Sequence, residues 1–180
     1  MNALALFRGL AANNAWSSLR LHRACLQLSR EEYEATRTSF FPSIPETLNH
    51  ILTVDWYYLD ALERGGKGRS LFADRMPFRE MAALAVAQRA SDLKLVAFVD
   101  RLTEADLASK IEIARADHTQ LETVADTLMH LSTHQIHHRG QVHAMLAGTS
   151  VKPPPLDEYF MREELPLREA ELRELGLPIR

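Results

Sequence analysis

The 180-residue chain has one cysteine, Cys25. A single thiol excludes an internal disulfide framework and fits a reducing compartment. Cys25 sits in an apolar helical pattern with no base nearby in sequence, so it reads as buried structure rather than as a nucleophile. Long apolar runs are also missing. No stretch reaches the roughly 18 uncharged apolar residues of a membrane span, and Arg8 interrupts the only apolar stretch at the start. Neither secretion nor membrane insertion is expected, and the expected location is cytoplasmic. Charge of one sign is nowhere concentrated. The 21 basic and 24 acidic residues interleave to a net charge of -3, with no basic run to neutralise a series of phosphates, so nucleic-acid binding gains no support.

What is present suits one globular, all-α domain. Apolar residues make up 46% and charged residues 25% of the chain, the range of proteins that fold unaided. The seven glycines and eight prolines fall mainly between periodic segments. Leu6, Leu10, Leu21, Ala24 and Leu28 mark one face of a first helix from about Ala3 to Leu28. Ser43, three residues before Glu46 and with Pro45 in the first turn, caps a second helix reaching about Glu63, which Gly65, Gly66 and Gly68 end. Pro77 opens a third, with Met81, Leu84, Gln88, Leu95 and Val99 at helical spacing up to about Arg101. Ile111 and Ile113 alternate with polar neighbours, which predicts a strand and a small hairpin closing near Asp117 and His118. Thr123 and Asp126 cap a last long helix running to about Ala147. The resulting expectation is a four-helix bundle over residues 1–152 with a small hairpin insertion. Residues 153–180 form a proline-rich connector and a short C-terminal helix, opened by Pro166, packed on the same domain.

Five of the eight histidines, His130, His134, His137, His138 and His143, fall inside the last long helix. At about 100° per residue only His134 and His138 lie in the sector of Val124, Leu128, Leu131, Val142 and Met145. His130 and His137 lie at its borders, and His143 faces the opposite way. A lone inward histidine is usually satisfied by a carbonyl or carboxylate. Two imidazoles one turn apart compete for acceptors and repel when charged, whereas a metal uses both neutral nitrogens. On periodicity the third ligand stays open among His50, His22 and His118. His50 lies about 140° from the centre of its helix's main stripe, on a face with Val54, Tyr57 and Ala61.

The segment from Thr47 to Trp56, with Asn49 and His50 at its centre, and the downstream run His134, Gln135, Ile136, His137, His138, Arg139, Gly140, Gln141 resemble the DinB/YfiT-like metalloenzymes. The order of elements is similar across most of the chain, including a turn region at Asn13 and Asn14; the tail from about Pro153 is less diagnostic. The resemblance implies a four-helix bundle in which one histidine from the second helix and two from the last bind a divalent ion. Carried over residue by residue, it names His50, His134 and His138 as ligands of one divalent transition metal, with zinc, nickel and iron as candidates. It also implies a homodimer paired through the long helices. It leaves the reaction open, since members include low-molecular-weight thiol transferases, isomerases and hydrolase-like proteins.

Three neutral imidazoles leave an ion its full charge and an open position, the arrangement of a catalytic site. Such an ion activates water or a thiol at neutral pH. The glutamate that acts as general base in HExxH helices is replaced here by Gln135, which takes no proton, so peptidase activity is not expected. The reading is a metal-dependent enzyme that transfers a low-molecular-weight thiol to an electrophile. The alternatives are a metal-dependent hydrolase and a non-enzymatic, stress-related dimer whose ion fixes two helices together. Asp55 and Gln141 are candidates to orient a ligand histidine from behind. Arg139 is read as solvent-facing rather than as a substrate anchor, and Trp16, Trp56, Tyr57 and Tyr58 as packing rather than as a pocket lining.

Overall fold

A computed structural model describes residues 2–179, most of them in helices. Helix α1 (Ala3–Cys25) starts where the Asn2 side chain accepts from the Ala5 N–H, and it ends three residues before the expected Leu28. The reason is local. Ser29 and Glu32 form a reciprocal capping box that starts a separate short helix, α2 (Arg30–Glu34), and the chain must turn to enter it. Asn13 and Asn14 lie in the middle of α1, not in a turn.

Helix α3 (Ile44–Leu62) begins at the expected cap, with Ser43 accepting from the Glu46 N–H and Pro45 in the first turn. Beyond its end Arg64 turns left-handed, and a Cβ on Gly65 would stand 2.2 Å from Asp60 Oδ1. Only glycine lets Asp60 keep its bonds to the Lys67 and Gly68 N–H groups. Helix α4 (Met81–Asp100) starts four residues later than Pro77 suggested. Asn49 of α3 pairs with both backbone groups of Phe78, at 2.8 and 3.0 Å, and so holds that segment out of the helix. Strands β1 (Lys110–Ala114) and β2 (Thr119–Thr123) pair antiparallel, with Ile111 opposite Glu122 and Ile113 opposite Gln120, and the turn runs from Arg115 to His118. Thr123 then caps α5 (Val124–Leu146), as its spacing from Asp126 implies.

The long helices form a ring in which α1 touches α4 and α5, and α3 touches the same two. Their interior is layered. One apolar cluster joins Leu4, Phe7, Leu59, Phe98, Ile113 and Leu128 near the hairpin; another joins Leu21, Ile44, Leu52, Leu84, Val142 and Leu146 at the opposite end. Fully buried leucines such as Leu52 and Leu131 each stabilise the fold by about 1.5–3 kcal/mol. Between the clusters lies a polar layer of Asn14, Asp55, Gln88, Asp92, Gln135 and Arg139, all buried and drawn from all four helices.

After α5 the connector crosses the surface, where His143 Nε2 meets the Pro154 carbonyl at 3.0 Å. Helix α6 (Leu165–Leu175) ends at left-handed Gly176 and covers Trp16 with Leu172 and Leu175. The Trp16 N–H and the Arg20 guanidinium both donate to Glu171. Among the described residues no helix is long and apolar enough to cross a membrane.

Candidate metal centre

His50 lies two turns into α3, and His134 and His138 lie one turn apart on α5, the helix packed beside it. The three rings converge. Their centroids are 5.0 Å (His50 to His134), 4.6 Å (His50 to His138) and 4.4 Å (His134 to His138) apart. One ligand-capable nitrogen from each lies within 4.8 Å of the others, and no carboxylate or thiol joins the group among the described residues.

The proton count distinguishes this cluster from ordinary core histidines. His50 Nε2 and His134 Nε2 face each other at 3.0 Å, while His134 Nδ1 is buried with no partner. If Nε2 of His134 donates, its Nδ1 is an acceptor without a donor. If Nδ1 carries the proton, it is a donor without an acceptor, and two lone pairs oppose each other unless His50 donates instead. Either tautomer of His134 leaves its Nδ1 unsatisfied. Ligands 2.0–2.1 Å from one ion stand roughly 3–3.4 Å apart, so the 3.0 Å separation suits a shared cation.

The electrostatics favour neutral, ligating imidazoles. Burial, then the charge of His138, pushes His50 down to about 4. Burial, then the neighbouring histidines, pushes His134 down to about 3. His138 is also lowered, mainly by burial, against the opposing bond from Gln141. That bond fixes a tautomer: His138 Nδ1–H donates to Gln141 Oε1 at 2.8 Å, leaving Nε2 free for the centre. The other end of the same amide meets His137 Nε2 at 3.1 Å.

The remaining histidines go elsewhere. His22 is buried in α1 and pushed down to about 4 by burial and then by Arg139, and exposed His118 pairs with Asp117 at the hairpin tip. Neither joins the three. Phe41, from the loop before α3, stacks 4.4 Å from His50 and 5.7 Å from His138, while neighbouring Phe40 is exposed. Arg37 braces that loop, with its N–H on the Pro42 carbonyl and its guanidinium on the Ala35 carbonyl.

A model of the DinB family matches residues 1–169. The chain belongs to the DinB family. Solved structures agree on the fold: a DinB-like protein of Bacillus cereus superposes with a TM-score of 0.60 at 18% identity, covering 78% of this chain and 90% of its own. A DinB-like protein of Bacillus subtilis gives 0.56 at 21%, covering 82% and 96%. No curated protein matches the sequence.

Several polar residues of this DinB chain do not act where the sequence put them. Arg139 is buried, not solvent-facing, and donates to Asn14 Oδ1 inside the bundle. Asp55 accepts from Gln88 at 2.7 Å and Gln135 at 2.9 Å, so its two oxygens hold amides rather than a histidine. Gln135 accordingly points into the polar layer, away from the three rings it adjoins in sequence. Burial drives Asp55 and Asp92 upward, and Arg139 pulls both back. Buried Cys25 is pushed up to about 12, which makes it inert.

Sequence reasoning did not bring together three neighbours of the centre, Tyr58, His130 and Arg115. Tyr58 packs 5.0 Å from the ring of His130, which lies one turn before His134, and Arg115 donates to the Tyr58 hydroxyl at 3.4 Å. His130 is lowered by burial and then by the Arg115 charge. No motif announces this trio, because hairpin, α3 and α5 meet only in space.

Proposed function

We propose that the chain is a metal-dependent enzyme in which His50, His134 and His138 hold one divalent transition metal (Zn, Ni or Fe), and that it transfers a low-molecular-weight thiol to an electrophile. The observation that carries the proposal is the convergence of three imidazoles from two helices, one nitrogen of each within 4.8 Å of the others and two Nε2 atoms 3.0 Å apart. A divalent ion held there would supply a Lewis acid able to lower the pKa of a thiol or of water.

The chain's own residues favour the thiol. Gln141 keeps the proton of His138 on Nδ1 and its Nε2 lone pair inward. Phe41 packs against the His50 ring and covers that side of it. Gln135 is committed to Asp55, so the residue that follows the first α5 ligand offers no base for hydrolysis. With a bound ion supplying the acidity, a thiol would need none: its sulfur would bond to the electrophilic carbon as the leaving group departs with its electron pair, and the proton would pass to solvent. The reading includes a homodimer: Met129 and Ile136 share an exposed apolar face of α5 that a second copy would cover.

Elemental mass spectrometry of untagged protein tests the first half. Near-stoichiometric metal, lost in His138→Ala, is expected, followed by metal-dependent consumption of thiol in the presence of an electrophile. Wild-type protein that is metal-free and cannot be loaded with zinc, nickel or iron refutes the proposal. Stoichiometric metal with no position open to exchange would instead make the ion a staple between α3 and α5.

A further inference from the structure

A row of rings drawn from α3 and α5 continues past the three histidines. The ring of His130 lies 6.3 Å from that of His134, the ring of Tyr58 lies 5.0 Å from that of His130, and the Arg115 Cζ stands 6.0 Å from the Tyr58 ring. Aromatic faces thus lead in steps from the centre to a guanidinium. That guanidinium is held in place by neutral groups: Nε donates to Gln120 Oε1 at 2.7 Å and Nη1 to the Tyr58 hydroxyl at 3.4 Å. Among the described residues no carboxylate lies within ion-pair distance of it. By contrast Arg8 pairs with Asp100, Arg20 with Glu171 and Arg101 with Glu63.

Pinning the hairpin to α3 does not need a charge, because the Tyr57 hydroxyl already donates to the Ala114 carbonyl next door. Arg115 is half-buried, and because only neutral oxygens are bonded to it, its full positive charge stays available to an anion. A guanidinium also has five donors, more than its protein partners here use. We infer that Arg115, with Tyr58 and His130, forms an anion-binding subsite for the far end of the ligand whose near end engages the three histidines. The ligand class is therefore an elongated small molecule with a metal-seeking donor at one end and a carboxylate or phosphate at the other. This rests on the proposed thiol chemistry and adds a charge requirement to it.

The test uses the full chain loaded with cobalt(II), whose thiolate charge-transfer absorption reports binding directly. The probes are 6-mercaptohexanoate and uncharged 6-mercaptohexanol. Wild type should bind the acid about tenfold more tightly than the alcohol at low salt. Arg115→Met should bind the two equally, with alcohol affinity unchanged, and Arg115→Lys should retain part of the preference. Arg115→Gln, which keeps a hydrogen-bonding side chain without charge, must also lose the preference, and it decides the matter if the methionine variant folds poorly. A wild type that binds both thiols equally, or a charge-free variant that still prefers the acid, overturns the subsite and leaves the thiol reading standing. Cobalt-loaded protein that shows no thiolate band with either probe overturns the thiol reading and the subsite together.

Discussion

Replacing Gln141 by leucine should weaken metal binding without loosening the fold. The Gln141 amide is held between two histidines: its Nε2 donates to His137 Nε2 at 3.1 Å and its Oε1 accepts from His138 Nδ1–H at 2.8 Å. Because His137 fixes the amide's direction, the oxygen faces His138 and the lone pair of His138 Nε2 faces the centre. Leucine keeps the volume and removes the acceptor, so the opposite tautomer becomes populated and the ring is free to rotate. Loss of such a supporting bond typically costs 10–100-fold in metal affinity, or about 1.4–2.8 kcal/mol. Gln141 is only half-buried on the outer side of α5, so the thermal midpoint of metal-free protein should hardly move. Competition against a chromogenic chelator at neutral pH measures the affinity. Gln141→Glu supplies the acceptor again and should restore binding. If it falls as far as Gln141→Leu, the bond to His138 is not what sets the affinity and the argument fails.

Two further predictions concern the polar layer. Arg139→Met removes the cation beside Asp55 and Asp92 and should cost about 3–5 kcal/mol in urea unfolding; a loss below about 1 kcal/mol would mean that the guanidinium contributes little there. Asp92→Asn should change how stability depends on pH. Burial raises the Asp92 carboxyl from 3.8 to about 8, so the folded state keeps a proton that the unfolded chain releases above about pH 4. That contribution is present in acid and is lost as pH rises towards 8. Relative to wild type, metal-free Asp92→Asn should therefore gain stability steadily across that window, and a pH-independent difference would contradict the assignment.

Local signals in the sequence carried most of the fold. Capping at Ser43 and Thr123, the alternation at Ile111 and Ile113, and helical spacing each depend on residues a few positions apart, so the elements they imply recur in the structure. Pro77 misplaced the start of α4 because the deciding partner, Asn49, lies 29 residues away on another helix. The site divides in the same way. Periodicity along α5 separates His134 and His138 from their three neighbours, but which further histidine lies opposite them depends on how α3 packs, and spacing alone left His22 and His118 open beside His50. Arg139 was misread because a charged residue next to an inward histidine looks like the rim of a stripe until Asn14, Asp55 and Asp92 are seen on the facing helices.

The placement of that polar layer bears on why the three rings meet at all. Gln135 follows His134 in sequence, Arg139 follows His138, and Asp55 lies five residues beyond His50. Each of the three histidines thus has a partner on its own helix that is anchored in the interior: Gln135 on Asp55, Arg139 on Asn14, and Asp55 on Gln88 of α4. Apolar ridges between two helices tolerate small slides, since neighbouring leucines and valines exchange holes at modest cost. Directional bonds to buried amides and charges do not, because a slide leaves them unpaired at about 1–3 kcal/mol each. A replacement of the layer by leucine and methionine could therefore leave the bundle equally stable and still blur the positions of His50, His134 and His138. On this reasoning the layer's contribution is to the register of α5 against α3, and metal affinity is a more sensitive readout of its integrity than the melting temperature.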